Sequence, residues 1–180
     1  VMKSKMSEAL KSRCPECRQK VPTSEEEGVK QVRVWVDKGK AWAQTTLANK
    51  YEYGEGVPQS YEEAMKYFNM AIKQGDANAM YKLADMYQHG QGVEKSLKKA
   101  AELFASAANH GHASAQCNLG RFYENGTGVA QSYEKAIELY TLAANQGDAV
   151  AQYNLGLLYF HSCGVAQSNA MARKWWLKAA

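Results

Sequence analysis

The sequence predicts an all-α fold, a right-handed αα-superhelix (solenoid) of antiparallel helix pairs. An internal repeat is the first reason, because residues 113–148 align without a gap on residues 41–76 and are identical at 18 of 36 positions. Helical periodicity is the second reason. Each repeat contains two stretches with small or apolar residues on one helix face, separated by a glycine-rich turn. One such helix pair cannot bury its apolar face alone, whereas stacked pairs can.

The period divides the chain into four helix pairs with a half repeat before them. The repeats occupy residues 41–76, 77–112, 113–148 and 149–180, and the last is four residues shorter. Residues 29–40 are predicted to form a half repeat or a capping helix, because Gly39 lies one period before Gly75. The valines of this segment also permit a strand. Residues 1–28 are predicted to be a poorly ordered leader.

Within a repeat, the first helix presents small or apolar residues to the core, and the second begins after a serine. In residues 113–148 the small or apolar residues of the first helix are Ala113, Ala115, Leu119, Gly120 and Tyr123, most of which lie on one helix face. The serine can accept a hydrogen bond from the free N–H groups of the second helix. Ser60 and Glu63 also have the spacing of a capping box. One slot of the second helix is always aromatic and is predicted to fill the space between helices: Phe68, Phe104, Tyr140 and Trp176.

These motifs resemble a known repeat. The framework A-x-A-x-x-x-L-G-x-x-Y-x-x-G-x-G-V, followed by an A-A-x-x-G ending, is similar to the Sel1-like repeat, a relative of the tetratricopeptide repeat with a longer turn. The resemblance covers residues 41–180 and implies a right-handed α-solenoid whose first helices line the concave side. Ala48 and Ala84 depart from it at the first-helix glycine. Ser162 departs at the first turn glycine, which leaves the geometry of that turn open.

A C-x-x-C pair in the leader resembles part of a zinc finger. Cys14 and Cys17 can supply two thiolates to zinc, and with Arg18 and Pro22 they resemble the closing ligands of a RING-type finger. The other six ligands of that family would precede Val1, so we interpret this metal site as incomplete. An intact protein that supplies the missing ligands could hold zinc, and no cofactor is predicted in this chain. A chance C-x-x-C and a thioredoxin-like redox pair are the alternatives, although no βαβ pattern surrounds the cysteines.

Charge and hydropathy argue against nucleic-acid binding and membrane spans. The net charge of +4 comes from residues 1–40, which hold 10 Lys and Arg against 6 Asp and Glu, while the rest of the chain holds 12 of each. A nucleic-acid surface needs a concentrated basic stripe, so no nucleic-acid partner is expected. No run of about 18 apolar residues predicts a membrane span. An intracellular, cytoplasmic location is the default expectation, with the secretory pathway left open because residue 1 is Val.

No catalytic constellation breaks the repeat pattern, so the chain is not predicted to be an enzyme. His110 and His112, between two repeats, have metal-binding side chains but are interpreted as part of a solvated loop. Cys117 is interpreted as a packed side chain, and Cys163 beside His161 lacks the further ligands of a zinc site. Ubiquitin-ligase activity would need a complete RING finger in the intact protein.

The variable surface of the first helices is the predicted peptide-binding groove. Positions two, six, nine and thirteen of each first helix lie opposite the core face at 100° per residue. Their amides, charges and aromatic rings suit an extended peptide, and a merely solvated surface is the alternative. We call these residues the first-helix face. They are Trp42, Thr46, Asn49, Tyr53, Asn78, Lys82, Asp85, His89, Ser114, Asn118, Arg121, Asn125, Val150, Asn154, Leu157 and His161.

The sequence therefore predicts a non-catalytic scaffold that binds a partner protein or peptide on its concave face. In an intact RING-type ubiquitin ligase this scaffold would recruit substrates. The alternative is a regulatory protein that self-assembles through its open solenoid ends, because the last helix lacks a glycine stop and leaves Trp175 or Leu177 exposed. Charge reversal at Lys82 or Arg121 is expected to weaken partner binding and to change the free energy of unfolding by no more than about 0.5 kcal/mol.

Overall fold

A computed structural model describes residues 24–180, which form α-helices joined by short turns. The helices are α1 (Glu25–Asp37), α2 (Ala41–Tyr53), α3 (Tyr61–Ile72), α4 (Ala77–His89), α5 (Leu97–Asn109), α6 (Ala113–Asn125), α7 (Tyr133–Asn145), α8 (Ala149–His161) and α9 (Asn169–Ala179). The repeats form the pairs α2–α3, α4–α5, α6–α7 and α8–α9, and each helix packs mainly against its neighbours in chain order. This arrangement confirms the predicted all-α, right-handed solenoid of antiparallel helix pairs.

The zinc-site prediction concerns residues of the leader that the structure does not describe. Cys14 and Cys17, the proposed zinc ligands, lie with the rest of residues 1–23 outside the described residues, so the RING-like interpretation stays a prediction. Across residues 24–180, no helix is long and apolar enough to cross a membrane.

Helix α1 begins at Glu25, earlier than the predicted start at residue 29. The side-chain oxygen of Ser24 accepts a hydrogen bond from the amide of Glu27 at 3.2 Å, and three glutamates in the first turn interact favourably with the helix dipole. Ser24 lies one period before Ser60, so the repeat itself predicts this start, although the sequence analysis missed it. The strand alternative for the valines is wrong, because α1 fills the slot of a second helix and buries Val29.

The serines that precede the second helices cap them, as predicted. The side-chain oxygens that accept an amide hydrogen bond, at 3.2–3.3 Å, belong to Ser60, Ser96, Ser132 and Ser168. The predicted capping box is wrong. The amide of Ser60 donates to the carbonyl of Tyr51 at 2.9 Å, so it needs no bond from Glu63. The Glu63 carboxylate instead lies 3.2 Å from the ammonium of Lys66.

One contact between the two helices of each repeat organises the core. A small residue at position eight of the first helix faces the aromatic slot of the second: Ala48 with Phe68, Ala84 with Phe104, Gly120 with Tyr140 and Gly156 with Trp176. A Cβ on Gly120 would lie 2.9 Å from the ring of Tyr140, which is too close for carbon atoms. Alanine therefore faces phenylalanine in two repeats, and glycine faces a larger ring in the other two. The departures at Ala48 and Ala84 are compensated by a smaller aromatic partner.

The two larger rings are also held by hydrogen bonds. The hydroxyl of Tyr140 donates to Oε2 of Glu124 at 2.6 Å, and the indole N–H of Trp176 donates to the carbonyl of Tyr153 at 3.1 Å. Tyr140 is fully buried and Trp176 is half-buried, and tyrosine and tryptophan usually find such a partner when they pack against other residues. Because its hydroxyl is anchored, the Tyr140 ring cannot move away from Gly120 without breaking a bond.

Neighbouring repeats also pack against each other. The rings of Phe104 in α5 and Phe122 in α6 meet edge to face with centroids 5.5 Å apart. The turns add a backbone contact, because a Cβ on Gly128, where φ is +70°, would overlap the Leu97 carbonyl at the start of α5. Ser162 takes the left-handed conformation that glycine takes in the other turns, with φ 60° and ψ 33°. The geometry of the last turn is therefore retained.

The last helix exposes one of the two residues expected there. Leu177 is 69% exposed, whereas Trp175 is only 7% exposed, so the exposed residue of the two is Leu177. Trp175 packs in the core cluster that contains Leu155 and Leu158 of α8, and the Lys178 ammonium lies 4.5 Å from the centroid of its ring.

We predict that Gly120→Ala destabilises the protein by up to about 2 kcal/mol. Overpacking costs about 1–3 kcal/mol, and the better helix propensity of alanine returns about 1 kcal/mol. The free energy of unfolding is measured by urea denaturation of the full chain.

The double variant Gly120→Ala/Tyr140→Phe copies Ala84 and Phe104 of the second repeat and is the matched control. Without its hydroxyl the ring is no longer held by Glu124. The loss in the free energy of unfolding of the double variant should therefore be smaller than the sum of the losses in the two single variants. Strict additivity would contradict the proposed contact.

Candidate protein-binding face

The first helices of neighbouring repeats contact each other directly. Lys82 in α4 donates a hydrogen bond from Nζ to the hydroxyl of Tyr53 in α2 at 2.8 Å. Asn118 in α6 donates from Nδ2 to the hydroxyl of Tyr81 in α4 at 3.5 Å. These contacts connect the residues of the first-helix face across three successive repeats.

Every residue of the first-helix face is exposed or half-buried. Three aromatic or apolar members are more than half exposed, namely Trp42 at 52%, Tyr53 at 56% and Val150 at 61%. This exposure is what a surface turned away from the core requires. That the face binds a partner stays a prediction.

An open cleft of about 470 Å³ lies on this face, between α2 and α4 and beside the start of α6. Its lining from the first-helix face consists of Trp42, Thr46, Asn49, Asn78, Lys82 and Ser114. The sequence analysis missed the other four lining residues, Thr45, Asp76, Tyr81 and His112. Thr45 and Tyr81 occupy position five of a first helix, and Asp76 and His112 directly precede a first helix. An alignment of the repeats at these positions would have identified them as candidate lining residues.

Lys82 is paired with a buried carboxylate that the sequence analysis also missed. The side chain of Glu52 is 4% exposed, and its Oε2 lies 3.8 Å from Nζ of Lys82. Burial raises the pKa of Glu52, and the charge of Lys82 opposes this rise without cancelling it. Reversing the charge at Lys82 would place a second carboxylate beside a buried one. We therefore expect charge reversal at Lys82 to cost more than the limit of about 0.5 kcal/mol that the sequence alone suggests.

Arg121 is a second cationic residue of the first-helix face, and its contacts are simpler than those of Lys82. Its side chain is exposed and donates a hydrogen bond to Oδ1 of Asn118 at 3.1 Å. Charge reversal at Arg121 disturbs this surface contact, so the expectation of a small change in stability stands there as a prediction.

His112 caps a helix and does not belong to a solvated loop. Its Nδ1 accepts a hydrogen bond from the amide of Ala115 at 3.2 Å, in the slot where the carboxylates of Asp76 and Asp148 cap their helices. Its ring stacks on Tyr81 with centroids 4.7 Å apart. Burial lowers the pKa of His112, and protonation of Nδ1 would remove the cap.

The remaining histidine and cysteine side chains do not form a reactive cluster. Among residues 24–180 there is no group of three or more His, Cys, Asp or Glu placed to hold a metal ion. His110 is exposed, and its Nδ1 lies 2.9 Å from the carbonyl of Ser106. Burial raises the pKa of the Cys117 thiol to about 12, so Cys117 stays protonated and behaves as a packed side chain. The Sγ of Cys163 lies 3.8 Å from the carbonyl of His161.

Stacked helix pairs that present one continuous face define a repeat α-solenoid. The profile of the Sel1 repeat matches residues 43–76, 77–112, 113–148 and 149–180. The chain therefore belongs to the Sel1 repeat family. Sel1 repeats generally mediate protein–protein interactions and are typically non-catalytic scaffolds. Among curated protein sequences, none matches the chain significantly.

Solved structures of Sel1 repeat proteins have the same fold. A Sel1 repeat protein from Oxalobacter formigenes is 31% identical with a TM-score of 0.83, over 88% of this chain and 65% of that one. A protective antigen of uropathogenic Escherichia coli is 29% identical with a TM-score of 0.81, over 89% of this chain and 34% of that one. An immunity protein from Pseudomonas aeruginosa, 24% identical with a TM-score of 0.61 over 98% of this chain and 63% of that one, shares the fold alone. This chain spans less than two thirds of each.

We predict that His112 makes the stability acid-sensitive. Folding lowers its pKa from the ordinary value of 6.5. The neutral ring therefore stabilises the fold above that pH, and this contribution is lost as the pH falls. His112→Asp, which copies Asp76 and Asp148, should keep the cap and flatten the fall in the free energy of unfolding between about pH 7 and pH 5.

Urea denaturation of the full chain at several pH values measures this effect. His112→Ala removes the cap altogether and should cost about 1 kcal/mol at alkaline pH. If His112→Asp keeps the acid sensitivity of the wild type, His112 is not its source.

Proposed function

We propose that this chain is a non-catalytic scaffold that binds a partner protein or an extended peptide along the first-helix face. The cleft of about 470 Å³ on that face carries the proposal. Amide, hydroxyl and ammonium groups line it beside the exposed indole of Trp42. An extended peptide needs both kinds of contact, hydrogen bonds for its backbone and apolar surface for its side chains.

The variation along the face supports a ligand that crosses several repeats. Position nine of the first helix is in turn an amide, a carboxylate, a guanidinium and an isobutyl group: Asn49, Asp85, Arg121 and Leu157. The backbone positions repeat while the chemistry changes, so successive repeats can contact successive residues of one extended chain. A solvated surface without a ligand is the alternative that the experiment below addresses.

In an intact protein with a complete RING finger, we propose that this face recruits the substrate of a ubiquitin ligase. Cys14 and Cys17 would then close the zinc site. The free thiols of Cys117 and Cys163 suit a reducing compartment such as the cytoplasm. Sequencing the transcript upstream of Val1 tests this extension. A series of Cys and His ligands supports it, and an upstream sequence without one rules it out.

Self-assembly through the end of the array is the second candidate. Leu177 on α9 is 69% exposed, and Tyr153 and Phe160 beside Trp176 are 53% and 42% exposed. Exposed apolar groups at one end of the array favour association with a second surface. A regulatory protein that pairs in this way would respond to its own concentration.

We predict that Arg121→Glu weakens binding of partner peptides about tenfold, because the face loses its exposed cation. Peptides are first selected from a random library on the full chain, and their dissociation constants are then measured for each variant. Lys82→Gln should also weaken binding, and it avoids a carboxylate beside Glu52.

Lys98→Glu and Arg173→Glu are the matched controls, since both side chains are exposed on second helices. They should leave the dissociation constants unchanged. Peptides that lose affinity for these controls and retain it for Arg121→Glu would place binding on the second helices and contradict the proposal.

For self-assembly, the mass of the chain from light scattering should rise with concentration, and Leu177→Asp should abolish the rise. Leu142→Asp is the control, because Leu142 is 53% exposed on α7, away from the end of the array. A concentration-independent monomer in the wild type would refute the second candidate.

A further inference from the structure

We propose that the cleft on the first-helix face contains a subsite for a neutral amide group, formed by Thr45 and Asn49. The proposal rests on the proposed function and names the chemistry that one part of the partner brings to that site. The amide belongs either to a peptide bond of the partner or to an asparagine or glutamine side chain.

The first observation is the unpartnered hydroxyl of Thr45. Thr45 lines the cleft and is 7% exposed, yet its hydroxyl has no hydrogen-bond partner among the described residues. A helical threonine ordinarily bonds to the carbonyl four residues back. Its neighbour Thr46 does so, donating to the carbonyl of Trp42 at 2.8 Å. A buried hydroxyl without a partner is unfavourable, so a ligand that supplies one gains affinity.

The second observation is the unpartnered side-chain oxygen of Asn49. This Oδ1 is buried and likewise accepts no hydrogen bond within residues 24–180, and Asn49 lines the same cleft. Asn49 lies four residues after Thr45, so both side chains are on one side of α2. Oδ1 can only accept a hydrogen bond, whereas the hydroxyl of Thr45 can donate one. An amide offers the complement, an N–H for Asn49 and a carbonyl for Thr45.

The charges around the cleft favour a neutral ligand. Nζ of Lys82 already donates to Tyr53 at 2.8 Å and lies 3.8 Å from Oε2 of Glu52. The carboxylate of Asp76 accepts a hydrogen bond from the amide of Ala79 at 2.8 Å and so caps α4. An anion in the cleft would approach Asp76, and a cation would approach Lys82. The exposed indole of Trp42 adds an apolar surface on which a planar amide can lie.

The subsite is specific to the first repeat. Positions five and nine hold Tyr81 with Asp85, Cys117 with Arg121, and Tyr153 with Leu157 in the later repeats. None of these pairs combines a hydroxyl donor with an amide acceptor at the Thr45 and Asn49 slots. An amide bound there would therefore set the register of a peptide on the whole face.

Small amides test the proposal on the full chain labelled with ¹⁵N. N-acetylglycine N-methylamide represents a peptide backbone, propionamide represents an asparagine or glutamine side chain, and propionate is the charged control of the same shape. At least one amide should give saturable NMR shifts of the Asn49 side-chain NH₂ and the Trp42 indole N–H, and propionate should not. The amide that binds more tightly identifies the source.

Thr45→Val removes the hydroxyl and keeps the shape of the side chain. It should weaken amide binding about fivefold, the value of one hydrogen bond, and should not reduce stability. Thr141→Val on α7 is the control and should leave amide binding unchanged, because Thr141 is on a second helix and does not line the cleft.

Three results would overturn the subsite: no shift at Asn49, equal binding of propionate, or equal binding of amide to Thr45→Val. A failure of the subsite is separable from a failure of the proposed function. Selected peptides that still lose affinity for Arg121→Glu would show that the face binds peptides without an amide subsite at Thr45.

Discussion

The packing of a small residue on the first helix against an aromatic ring on the second is the contact on which the rest of the structure depends. It sets how closely the helices of a pair approach, and each pair then stacks on the next through shared rings such as Phe104 and Phe122. Gly120 leaves room for Tyr140, whose hydroxyl is held by Glu124 at 2.6 Å. A repeat can enlarge the ring only if it reduces the residue opposite, which is the exchange seen between the first two repeats and the last two.

This constraint also determines where function can lie. Positions that face the aromatic slot are committed to packing, as are the serine caps and the turn glycines. The other side of the first helices is free to vary, and there the chain places amides, charges and exposed aromatic rings at equivalent backbone positions. The cleft between α2 and α4 lies on this varied surface, where the residues in place of Thr45 and Asn49 in later repeats are Tyr81 with Asp85, Cys117 with Arg121, and Tyr153 with Leu157. The repeated residues build a support, and the differing residues give it a surface chemistry.

The sequence predicted what depends on periodicity: the helix pairs, the serine caps, the aromatic slot and the exposure of the first-helix face. It did not predict features that depend on contacts between particular side chains. The pair formed by the buried Glu52 and the half-buried Lys82 lies across two first helices, and the Ser60 amide is satisfied by a carbonyl from the preceding helix. His112 looks like a loop residue until its slot is compared with that of Asp76. The unpartnered hydroxyl of Thr45 is visible only when every neighbour of the side chain is known.

Hydrogen exchange most directly tests the claim that the second helices support a binding surface on the first helices. Exchange of backbone amides is compared, by mass spectrometry, in the full chain alone and saturated with a peptide selected on it. The account predicts slower exchange in α2, α4 and α6, with α3, α5 and α7 little changed, because the ligand covers the first-helix face. Slower exchange confined to α3, α5 and α7 would contradict it.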